Sequence, residues 1–118
     1  MKYLFLAYSK CSTCRNAKKW LDQHSLAYEE RPILDQPPTV EELKEWIRRS
    51  GRPVKSFFNT SGLVYKALQL KDKLPSLSEE EQIALLASDG KLVKRPLLIG
   101  TDRILVGFKT EEWETIVG

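Results

Sequence analysis

The chain opens on an apolar run, Tyr3-Leu-Phe-Leu-Ala-Tyr8, whose length and lack of alternation predict a buried strand. From Thr13 to about His24 the period becomes helical, with Cys14, Ala17 and Leu21 on one stripe and Trp20 beside it. Residues Tyr28 to Ile33 read as a second strand. It is parallel to the first if the helix is a crossover, which gives a right-handed βαβ unit.

The middle of the chain carries helix signals without convincing strands. Thr39 and Glu42 have capping-box spacing after Pro37-Pro38, with Val40, Leu43 and Ile47 on one face and Gly51 as a stop. Ser78 and Glu81 repeat that spacing ahead of Ile83, Leu86 and Ala87, and Asp89-Gly90 ends that helix. Between the two, Val54 to Phe58 and Leu63 to Leu70 read as shorter helical pieces around Asn59-Thr-Ser-Gly62. Strand character returns at Leu97 to Ile99 and Arg103 to Gly107, joined through the turn Gly100-Thr-Asp102, and Thr110 is placed to cap a last helix bearing Trp113, Ile116 and Val117. The order βαβ, helices, ββα predicts an α/β fold with a mixed sheet of about four strands. No low-complexity linker flanks the helices, so they read as an insertion over about 37–90 within one domain of residues 1–118.

Composition narrows the function classes. A chain of 118 residues that is 42% hydrophobic suffices for one core. A formal charge of +3 is too slight to imply a nucleic-acid footprint. The basic cluster Arg48, Arg49, Arg52 and Lys55 suits a solvated helix end. The N-terminal apolar run is too short for a secretion signal, and Lys10 precedes Cys11 where a processed lipoprotein needs a small residue. With no stretch near the roughly 20 apolar residues of a membrane span, the expected compartment is the cytoplasm, where a cysteine pair serves catalysis, sensing or metal binding more often than structure.

That pair is Cys11-Ser-Thr-Cys14, the chain's only two cysteines, set where strand gives way to helix. Thiols at this spacing can close a disulfide, and a helix N-terminus favours the thiolate. A zinc site needs two further ligands, and His24 is the one other Cys or His present. Two inert core thiols are the bland alternative. Cys11, ahead of the helix, should be open, whereas Cys14 faces the Ala17 and Leu21 stripe; Lys10 and Arg15 flank the pair and would favour a thiolate. Pro96 either starts a strand in the ordinary way or follows a cis bond that turns the backbone toward the cysteines. Asn59, Thr60 and Ser61 suit either a site lining or a turn.

The segments Tyr8-Ser-Lys-Cys-Ser-Thr-Cys-Arg-Asn-Ala-Lys18, Pro37-Pro-Thr-Val-Glu-Glu-Leu43, Phe58-Asn-Thr-Ser-Gly62 and Lys94-Arg-Pro-Leu-Leu-Ile99 together resemble the arsenate reductase (ArsC) family, including its Spx branch. The resemblance implies a thioredoxin-like fold with a helical insertion and a cis peptide before Pro96. It makes Cys11 the nucleophile, Cys14 a resolving thiol as in Spx, and Arg95 the anion or thiolate stabiliser, with Ser12, Thr13 and Pro96 lining the substrate position. For Arg95 the alternative is a surface salt bridge. No bound cofactor is implied. An external thiol reductant of the glutathione, glutaredoxin or thioredoxin kind is, and the partner is a thiol or disulfide protein or a small oxyanion. In the Spx branch the pair is a redox switch and the partner is RNA polymerase.

Departures from the reductase pattern sharpen this expectation. Asn59 stands where reductases carry an insertion arginine, and Val106-Gly107 replaces the arginine of the last hairpin. The Spx arginine expected at about Ser61 is also absent, and the tail stops at Gly118 soon after the final helix. The expected use of the pair therefore moves from arsenate toward intramolecular disulfide exchange or sensing.

Overall fold

The computed structural model describes residues 2–117. Strand β1 spans Tyr3–Ala7, helix α1 Ser12–Gln23 and strand β2 Tyr28–Pro32. Helices α2 (Val40–Ser50), α3 (Leu63–Ala67), α4 (Leu70–Lys73) and α5 (Glu79–Ser88) follow, then β3 (Leu97–Ile99), β4 (Ile104–Val106) and α6 (Thr110–Trp113). The contacts group these elements into two compact units, one holding the residues up to Pro32 and from Arg95 on, the other Ile33–Lys94.

The sheet unit has strand order β2-β1-β3-β4. β1 and β2 are parallel, with Tyr3 opposite Tyr28 and Ala7 opposite Pro32, as the α1 crossover requires. β1 and β3 are antiparallel with Leu6 opposite Leu97, and β3 pairs antiparallel with β4. Alternation along β1 sends Tyr3, Phe5 and Ala7 to one face, where they form a core with Cys14, Ala17, Trp20 and Leu21 of α1 and with Leu98, Leu105 and Trp113. Trp113 is fully buried. Its ring meets Phe108, Trp20 and Phe5 edge-on at centroid distances of 4.8, 5.6 and 6.5 Å, and its indole N–H donates to the Gly107 carbonyl at 3.1 Å. A buried indole needs such an acceptor. Gly107 itself lies at φ 75°, in the left-handed region that favours glycine.

The helical unit is held at its helix starts by both capping boxes. Thr39 Oγ1 accepts the Glu42 N–H at 3.1 Å while Glu42 Oε1 accepts the Thr39 N–H at 2.9 Å. Ser78 and Glu81 repeat this at 3.1 and 2.9 Å. Leu43, Trp46 and Ile47 of α2 and Ile83 and Leu86 of α5 are buried. At Gly90 an added Cβ would meet the Ile33 carbonyl oxygen at 2.2 Å, so the backbones approach too closely there for a side chain. Among the described residues, no helix is long and apolar enough to cross a membrane.

Three expectations change. The helix expected over Leu63 to Leu70 breaks into α3 and α4 because Gln69 adopts φ 54°. The middle segment contains a β-bridge, Phe58 to Val93, with Asn59 N–H donating to Leu92 O and Lys94 N–H to Phe57 O, each at 2.7 Å; pieces so short have no period to read. Thr110 does not cap α6, whose N-cap is Lys109 with no side-chain hydrogen bond.

Candidate functional site

Cys11 is the N-cap of α1, with extended backbone (φ −92°, ψ 119°). Its sulfur takes the acceptor role usually filled by an oxygen, receiving the Cys14 N–H at 3.3 Å. The Cys11 N–H in turn donates to the Tyr8 carbonyl at 3.0 Å, closing the turn between β1 and α1. Cys11 is half-buried, whereas Cys14 is 2% exposed on the inward stripe; both are free thiols.

The two thiols differ sharply in acidity. Burial pushes Cys11 up, but the Cys14 thiol and backbone N–H, the Arg95 charge and the Thr13 backbone outweigh it, and the net direction is down. Burial, reinforced by the Cys11 sulfur and opposed by the Tyr8 backbone and Arg95, pushes Cys14 up to about 12. The cation acting on both sulfurs is Arg95, while Arg15, one of the flanking cations expected to act, donates to the Ser9 carbonyl at 3.1 Å.

Arg95 enters through a cis peptide to Pro96. Its guanidinium carbon lies 5.4 Å from the centroid of the Tyr8 ring, within cation–π range. Its Nη1 is buried and, among the described residues, has no hydrogen-bond acceptor. A buried donor without an acceptor costs about 1–3 kcal/mol, which an anion placed there would recover. Pro96 is buried, and its carbonyl accepts the Gly107 N–H at 2.8 Å. Ser12 and Thr13 are exposed in the first turn of α1. A cleft of about 350 Å³ reaches Cys14 and is bounded also by Phe5, Tyr8, Arg15 and Lys18; Cys11 and Arg95 are not among its lining residues.

The remaining candidates are used elsewhere. His24 sits at the opposite end of α1, its Nδ1 2.8 Å from the Trp20 carbonyl and its ring stacked on Trp20 at 4.0 Å. Arg103 donates to the Thr115 hydroxyl. Ser61 donates to Asn59 Oδ1 at 3.3 Å, a local turn bond. Tyr8 is the residue that sequence reading passed over. Its neighbour Arg95 is remote along the chain, so no local spacing reports the pair.

A four-stranded mixed sheet with a cysteine at the N-cap of α1 and a cis-proline segment leading into β3 defines a thioredoxin-like α/β fold. The chain matches the ArsC family over residues 6–116 and belongs to it. A crystal structure described as an ArsC family related protein from Bacteroides fragilis is 63% identical, with TM-score 0.95 and 98% of each chain covered. The Bacillus subtilis protein YusI is 51% identical over 97% of both chains. The global transcriptional regulator Spx 2 of Oceanobacillus iheyensis is 32% identical over 88% of this chain and 76% of that protein.

Proposed function

We propose that the protein is a thiol-disulfide oxidoreductase of the ArsC family in which Cys11 is the nucleophile, Cys14 the resolving thiol and Arg95 the anion stabiliser. The observation that carries this reading is the contrast between two cysteines on one helix turn: Cys11 caps α1 half-buried, its sulfur accepting the Cys14 N–H at 3.3 Å and its pKa lowered, whereas Cys14 is buried on the inward stripe with its pKa raised. The Cys11 thiolate attacks one sulfur of a partner disulfide, and the other partner sulfur leaves as a thiolate. Cys14 then loses its proton and attacks the Cys11 sulfur. The mixed disulfide breaks, the partner departs fully reduced, and the two electrons have come from the pair, now Cys11–Cys14 disulfide. An external thiol of the glutathione, glutaredoxin or thioredoxin kind restores the dithiol.

The raised pKa of Cys14 fits this order. Part of the rise comes from the Cys11 sulfur. Once Cys11 is tied up in a mixed disulfide its charge is gone, and Cys14 ionises more readily when its attack is needed. Ser12 and Thr13, exposed beside Cys11, and Pro96 line the approach. Arsenate is a poorer fit, because Asn59 and Val106-Gly107 occupy the positions of two expected oxyanion arginines and Gly107 has a backbone that disfavours any side chain.

The test is steady-state reduction of a disulfide substrate by the protein and by Cys11→Ser and Cys14→Ser, with arsenate assayed in parallel using each external thiol. Cys11→Ser should be inactive and Cys14→Ser should stall as a mixed disulfide. Retained turnover in Cys11→Ser would refute the assignment. The Spx relatives favour one second reading, a redox switch that binds RNA polymerase. Co-purification with the polymerase that changes on oxidation supports it, and no complex in either redox state counts against it.

A further inference from the structure

We propose that Tyr8 is a positioning residue for this site: its ring seats the Arg95 guanidinium beside the cysteines while its main chain fixes them. The inference rests on the reading of Cys11 as the reactive thiolate and adds the residue that sets its cation in place.

Three contacts converge on Tyr8. Its carbonyl accepts the Cys11 N–H at 3.0 Å. Its backbone hydrogen-bonds the Cys14 thiol. Its ring lies 5.4 Å from the Arg95 guanidinium carbon. The topology explains why these residues meet. β1 and β3 pair antiparallel with Leu4 opposite Ile99 and Leu6 opposite Leu97, and Tyr8 follows β1 and Arg95 precedes β3 at the same end of that ladder.

The chemistry of the holder matters. A carboxylate would orient the guanidinium but also neutralise its field and consume its N–H donors. An aromatic face attracts the cation through its quadrupole and accepts no conventional N–H bond. Held in this way, Arg95 keeps its charge for Cys11 and leaves Nη1, buried and without an acceptor among the described residues, to meet an anion. The ring face is the working part, so the tyrosine hydroxyl is dispensable.

The experiment is the pH dependence of iodoacetamide alkylation at Cys11, mapped by peptide mass, in the full chain and in Tyr8→Phe, Tyr8→Leu, Arg95→Gln and the Tyr8→Leu/Arg95→Gln double variant. Tyr8→Phe should stay within about twofold of the parent because it keeps the ring. Tyr8→Leu should slow alkylation at neutral pH by about three- to tenfold and move the midpoint upward, with the rate at high pH unchanged. The double variant should match Arg95→Gln alone. Tyr8→Met, which also lacks a ring, replaces Tyr8→Leu if that variant does not fold. An unmoved midpoint in the ringless variant, a lowered high-pH rate alone, or additive effects in the double variant would overturn the inference. If Arg95→Gln shifts the midpoint and Tyr8→Leu does not, only the role of Tyr8 falls. If Arg95→Gln leaves it unmoved, the assignment of Arg95 falls as well.

Discussion

The sheet unit and the helical unit use polar groups in opposite ways. In residues 33–94 polar side chains close local structure: Thr39 with Glu42 and Ser78 with Glu81 cap helices, Asp89 Oδ1 accepts the Lys91 N–H at 2.8 Å, and Gln82 donates to the Leu74 and Leu77 carbonyls at 3.2 Å. In the sheet unit a cysteine stands at the N-cap of α1, and Arg95 keeps a buried donor that has no acceptor among the described residues. Oxygen caps satisfy the backbone and do nothing further, whereas a sulfur cap is also a nucleophile. The difference teaches where to look for chemistry, namely where local structure is completed by the less ordinary group.

Substitutions can break or sharpen that contrast. Cys11→Ser should abolish disulfide exchange yet hold stability within about 1 kcal/mol, because serine is a good N-cap; turnover and thermal melting read the two effects separately. A melting loss as large as the activity loss would mean the cysteine is structural. Trp113→Ala should cost about 3–5 kcal/mol by denaturant titration, since it empties the centre of the sheet unit. Alkaline pH should weaken folding through Cys14. Its pKa is raised in the folded state from the ordinary 9.0 to about 12, so its contribution is intact below pH 9 and fades as pH climbs toward 12. Cys11 has the opposite sign: lowered in the folded state, it favours folding above its ordinary range and loses that effect as pH falls through its folded value. Chemical denaturation across pH, repeated with Cys14→Ser, isolates the alkaline part.

Smaller effects belong to the helical unit. Thr39→Ala and Ser78→Ala should each cost about 1 kcal/mol without changing the alkylation rate of Cys11. A changed rate would show that the helical unit tunes the thiol. Leu63→Ser should be nearly silent, within about 0.5 kcal/mol, because Leu63 is 85% exposed.

Legibility followed the physics of each element. The α1 stripe, both capping boxes and the hydrophobic strands carry their signals within a few residues, so the sequence pattern reveals them. The Phe58–Val93 bridge, the break at Gln69 and the Tyr8–Arg95 pair depend on tertiary partners far along the chain or on a single unusual backbone angle, and no local period encodes those. The cysteine pair was readable as a candidate from its place alone. What separates its two thiols is the burial of Cys14 and the hydrogen bond between the pair, which lowers the pKa of Cys11 and raises that of Cys14, and only the folded chain sets both.

The most direct test of the central claim is peptide mapping under non-reducing conditions after mild oxidation of the native protein. The account predicts a single intramolecular Cys11–Cys14 disulfide that a dithiol reductant reverses. A free Cys14 alongside a Cys11 that has been oxidised further, or linked to another chain, would contradict it.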